Sequence, residues 1–139
     1  MEITASQGVG APHLRAEFDG RPPAIARARD AADAFLAALA RTTPPATDRH
    51  REDVLLVVSE LVTNAVRHAP GPLTLCLALV RGSIQITVGD TNPAPPRPRA
   101  DDLHGGTGGF GWPIVQRLAH HTEVPARAGG KEIHAFLPW

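Results

Sequence analysis

The chain of 139 residues has one cysteine, Cys76, so it can form no internal disulfide and no cysteine-based zinc cluster. It has no excess of charge of either sign. Its 14 Lys and Arg balance its 14 Asp and Glu, which gives nonspecific binding to nucleic acid or to an anionic membrane no support. It has no long apolar run. Its apolar runs, such as Val54 to Val58, are far below the roughly 20 residues that a membrane-spanning helix needs. The opening stretch, MEITASQGVGAPHLR, has neither a basic start nor a hydrophobic segment, so a secretory leader is not expected and the cytoplasm is the default location. Lysine is scarce, whereas glycine (13) and proline (14) are abundant and concentrate in a few places that mark loops.

With 42% hydrophobic residues, a chain of this length suits one packed domain. Residues 1–12 are small and polar and are expected to be flexible; 13–139 are expected to form the domain. Leu14, Ala16 and Phe18 alternate as in a strand. Pro22 and Pro23 can open a helix, after which Ile25, Ala28, Ala32, Phe35, Leu36 and Leu39 fall at helical spacing. A second helix is expected to start near Asp48 and stop at Pro70-Gly71-Pro72. Leu73 to Leu79 and Ile84 to Val88 alternate around Arg81-Gly82 and predict an antiparallel hairpin. A loop over about 90–109 follows, long enough to be a functional lid. A short helix is expected over Pro113 to His121. A last hairpin, Glu123 to Ala128 with Glu132 to Leu137, is expected across Gly129-Gly130. This order predicts an α/β (α+β) two-layer sandwich, with helices on one face of a mostly antiparallel mixed sheet.

Three segments carry the chemistry. In the second helix, VLLVVSELVTNAVRHA (54–69), Glu60 and Asn64 are four residues apart and share one face. Val54, Leu55, Val57, Val58, Leu61, Val62 and Ala65 should face the core. A carboxylate and an amide so close to it need partners, such as a cation, a nucleotide or a catalytic water. The plainer reading is an amphipathic helix with a narrow polar stripe. In ITVGDTNPAP, Asp90 follows a strand directly. It is either a turn former or a buried acceptor for a ligand amine such as that of adenine. In GGTGGFGWPIV (105–115), five glycines precede a helix, which lets backbone N–H groups approach a phosphate. No Gly-Lys-Ser or Gly-Lys-Thr signature follows, so this is not a Walker-type loop.

Together the three segments resemble the GHKL superfamily of ATP-binding proteins, which includes DNA gyrase and the histidine kinases and has the Bergerat-type fold. Within it, SELVTNAVRHA (59–69) is similar to the asparagine box of the small bacterial anti-sigma-factor serine/threonine kinases. The resemblance implies ATP and Mg²⁺ as cofactors. It implies that Asn64 is a metal ligand, that Glu60 is the general base toward a partner's serine, and that Asp90 is the adenine acceptor. It places Thr107, Gly108, Gly109 and Gly111 around the phosphates. Arg29 falls where these kinases carry an arginine associated with the partner and the phosphate end. His68 is implied at the pocket edge. The glycines that usually follow the adenine-binding Asp are replaced by Thr91-Asn92-Pro93. The implied partners are a sigma factor and a STAS-type anti-anti-sigma protein, and the resemblance suggests a homodimer. Two alternatives stay open. One is a non-catalytic ATP-binding module that sequesters a sigma factor or another partner. The other is a stand-alone catalytic domain of the histidine-kinase type.

Overall fold

Alternating apolar residues set the sheet, and helical apolar stripes cover one side of it. The computed structural model describes residues 2–6, 11–96 and 111–139. Its elements run β1 (Glu2–Ser6), β2 (His13–Phe18), α1 (Pro23–Ala40), α2 (Asp48–His68), β3 (Leu73–Val80), β4 (Ser83–Asp90), α3 (Gly111–Leu118), β5 (His121–Glu123), β6 (Ala126–Arg127) and β7 (Gly130–Pro138). The strands form one seven-stranded sheet in the order β1-β2-β3-β4-β7-β5, with β6 also paired to β7. Every pairing is antiparallel.

Register turns the alternation into a continuous apolar face. Ala16, Leu75, Val88 and Ile133 lie in one cross-strand row, and Leu14, Leu77, Ile86 and Ala135 in the next. All eight are buried. Against this face pack Ala28, Ala32, Phe35, Leu36 and Leu39 of α1, and the seven apolar residues expected on α2, all of them buried. At roughly 1.5–3 kcal/mol for each fully buried Leu, Val, Ile or Phe, this interface is the main source of stability. The β3–β4 connection is tight because Arg81 (φ 51°) and Gly82 (φ 79°) both take left-handed backbone, the conformation that a two-residue hairpin turn needs.

Three expectations need correction. Part of the segment expected to be flexible, Glu2–Ser6, is an edge strand paired with β2. Five residues without a strong alternation carry little signal, and the strand is defined by the edge it meets. The last hairpin is not two whole strands. Val124-Pro125 separates β5 from β6, and both pair with β7. Proline has no N–H to donate to a ladder, so the strand breaks there. The Pro125 carbonyl still accepts from Glu132 N at 3.1 Å. Finally, α3 begins two residues early and ends at Leu118, because the His120 N–H is taken by Phe136 O of β7. No helix among the described residues is long and apolar enough to cross a membrane.

Candidate functional site

The buried stripe of α2 leaves Glu60 and Asn64 half-buried at its edge, one turn apart. Glu60 faces the start of α3. A Cβ placed on Gly111 would lie 2.8 Å from Glu60 Oε2, so the helix comes this close only because residue 111 is glycine. Burial raises the Glu60 carboxyl above its ordinary 4.5, and the positive charge of Arg67 partly opposes the shift. A carboxyl raised in this way is a better proton acceptor than a solvated one. Arg29, exposed on α1, donates from Nη1 to Ser59 Oγ at 3.3 Å, beside Glu60 in sequence. Ser59 Oγ in turn donates to Leu55 O at 3.0 Å.

The remaining described candidates meet at a cavity of about 260 Å³, lined by Asn64 and His68 of α2, by Asp90, Lys131 and Ile133 of the sheet, and by Pro95. That is just below the roughly 300–1,000 Å³ usual for small-molecule sites. No hydrogen bond ties the Asn64 side chain to another described residue, so its amide is available to a ligand in the cavity. This fits a metal–nucleotide ligand better than it fits a structural amide. Among the described residues no group of three or more His, Cys, Asp or Glu could hold a metal ion, so an ion at Asn64 would draw other ligands from phosphates and water.

Asp90 makes the turn bond and is buried as well. Its Oδ1 accepts from Asn92 N at 2.9 Å, which is a turn bond of the Asx kind. Its carboxylate is also buried at the cavity, 4% exposed as a residue. Thr91 and Asn92, which stand in place of the usual glycines, anchor the chain to the end of α2. Thr91 Oγ1 donates to Pro70 O at 2.8 Å, and Asn92 Nδ2 to His68 O at 2.9 Å. Asn92 thereby satisfies a carbonyl near the helix end.

Thr107, Gly108 and Gly109 lie outside the described residues, as does the expected lid beyond residue 96. Of the five glycines in the glycine-rich segment, only Gly111 is among the described residues, and it lies against Glu60. Sequence reasoning missed Lys131. Its ammonium lies 2.9 Å from Asp90 Oδ2 and 3.1 Å from Oδ1, and donates to Asn92 O at 2.8 Å. A signal was present. Lys131, Ile133, Ala135 and Leu137 share one phase of β7, so the lysine falls on the buried side.

The same architecture occurs in known proteins. Residues 18–136 match the family described as the histidine kinase-like ATPase domain. No curated protein sequence matches the chain. Among solved structures, the RsbU and RsbW domains of Rv1364c from Mycobacterium tuberculosis align with 91% of this chain at 20% identity and a TM-score of 0.67. The histidine kinase AdeS from Acinetobacter baumannii aligns with 89% at 18% identity and a TM-score of 0.51. The chain spans 32% of the mycobacterial chain and 66% of the AdeS chain. These identities establish a shared fold. With the family match covering most of its length, the chain belongs to the histidine kinase-like ATPase domain family of GHKL proteins.

Proposed function

We propose that the chain is a Mg²⁺-ATP-dependent serine kinase acting on a STAS-type regulatory protein, and that it also sequesters a sigma factor. The observation that carries this reading is Glu60. It is a half-buried carboxylate with a raised pKa, held against the start of α3 and one helical turn from an amide without a described partner. A pure binding module has no use for such a base. In the proposed reaction, Glu60 takes the proton of the serine hydroxyl, the serine oxygen attacks the γ-phosphorus, and ADP leaves. Phosphoryl transfer rests mainly on positioning and charge neutralisation, and a bound metal would supply part of the latter. Asn64 would hold that metal, and Asp90 would face the adenine amine. Arg29 sits on the Glu60 side, where an incoming partner could meet it. The choice of a sigma factor and a STAS protein as partners rests on the likeness of residues 59–69 to the asparagine box of the anti-sigma kinases.

A second reading, a non-catalytic regulatory module, is favoured by one observation: the proposed adenine acceptor already holds an internal cation, Lys131. The two readings separate in one experiment. The chain is incubated with ATP, Mg²⁺ and STAS-domain proteins, and the phosphorylated residue is mapped by mass spectrometry. Phosphoserine, with transfer reduced about 100-fold or more in Glu60→Gln while ATP still binds, is the expected result. Full transfer by Glu60→Gln removes Glu60 as the base. Phosphohistidine on the target would replace the serine-kinase reading with a histidine-kinase-type one.

A further inference from the structure

Lys131 is the chain's single lysine; its other thirteen fixed cationic side chains are arginines. Among the described residues it is one of the most buried charges, with its side chain 7% exposed and that of its partner Asp90 3% exposed. Register puts the two directly opposite, as Asp90↔Lys131 at the cavity end of the β4–β7 ladder. The rows behind them on the same face are the apolar pairs Val88↔Ile133 and Ile86↔Ala135. An ammonium has three N–H donors. Here they meet Asp90 Oδ1, Asp90 Oδ2 and Asn92 O, at 3.1, 2.9 and 2.8 Å. Asp90 Oδ1 also accepts from Asn92 N. The carboxylate that would read an adenine amine is therefore engaged through both oxygens, by a charged donor that is stronger than a neutral amine.

We propose that Lys131 is a specificity-determining residue. It competes internally for Asp90, so that the chain binds nucleoside triphosphates through their phosphate end with little selection for adenine. The inference rests on the reading of this cavity as the nucleobase site. An adenine amine can displace the ammonium only by leaving a buried cation with fewer partners, which offsets the bond it gains. Inosine triphosphate carries a carbonyl where ATP carries the amine, and that carbonyl can accept from Lys131. The discrimination that a free Asp90 would impose is lost.

The test is calorimetric titration of the full chain, in Mg²⁺, with ATP and with inosine triphosphate, repeated on Lys131→Met. The wild-type chain is expected to bind the two nucleotides within about threefold of each other. Lys131→Met, with Asp90 released, is expected to bind ATP about tenfold or more tighter than wild type and to prefer it over inosine triphosphate by a similar factor, the worth of one hydrogen bond to a charged group. A wild-type preference for ATP of tenfold or more overturns the proposal while leaving the ATP site intact. So does a folded Lys131→Met protein with unchanged ATP affinity. Failure of the wild-type chain to bind any nucleotide overturns this proposal and the ATP-site reading together, whereas loss of binding only in a folded Lys131→Met protein overturns this proposal alone. If Lys131→Met does not fold, the wild-type comparison decides, since it needs no variant.

Discussion

Removing one member of the Asp90–Lys131 pair should cost far more than removing both charges. Both side chains are almost fully buried, and every donor of the ammonium has an acceptor within 3.1 Å. Lys131→Met leaves a buried carboxylate whose described partner is the Asn92 N–H. Breaking a buried pair from one side costs about 3–5 kcal/mol, whereas replacing both charges is often close to neutral. At roughly 3–5 °C per kcal/mol for a domain of this size, the single variant should melt about 10–20 °C below wild type. In the double variant Asp90→Asn with Lys131→Met, the amide that replaces the carboxylate can still accept from Asn92 N and keep the turn, and neither charge of the pair remains. It should recover at least half of the loss. Urea denaturation followed by circular dichroism, on wild type, both single variants and the double, gives a coupling energy of about 2 kcal/mol or more on this reasoning. Additive single costs, or single costs each below about 1 kcal/mol, would show that the pair is not held as a desolvated unit.

Other expectations follow from single contacts. The raised pKa of Glu60 means that the folded chain favours its protonated form more than the unfolded chain does. Its stabilising contribution is complete below its ordinary 4.5 and is lost as pH rises through the raised value, so the stability of wild type relative to Glu60→Gln should fall as pH rises from about 4 to about 7; the opposite slope in denaturation curves would contradict the burial argument. Gly111→Ala would set a Cβ 2.8 Å from Glu60 Oε2 and push the carboxylate aside, so phosphotransfer assays should show about a tenfold or larger loss while stability changes by no more than about 1–2 kcal/mol. Leu61→Ala, at a fully buried position of α2 between Glu60 and Asn64, should cost about 2–5 kcal/mol in chemical denaturation.

Much of this architecture is legible in the residues. All seven apolar positions expected to face inward on α2 are buried, because a 21-residue helix over a sheet repeats its stripe too often to be ambiguous. The β3–β4 hairpin follows from strict alternation on both sides of Arg81-Gly82. The losses have local causes. Strand β1 depends on the edge of β2, and Pro125 splits what periodicity reads as one strand. On the site, spacing along one helix brought Glu60 and Asn64 together, and a strand exit located Asp90. The partner of Asp90 lies 41 residues away and becomes visible only once the β4–β7 register is known. Gly111 was read as part of a phosphate cradle, yet its described neighbour is the Glu60 carboxylate, a contact between two helices that no local pattern encodes.

The central claim is that Asn64 joins a metal-bound nucleotide at the α2 cavity. Its most direct test is isothermal titration of ATP with and without Mg²⁺, on wild type and on Asn64→Ala. The account predicts heat of binding that requires Mg²⁺ in wild type and is lost in the folded variant. ATP affinity that is the same without Mg²⁺, or unchanged in Asn64→Ala, would contradict it.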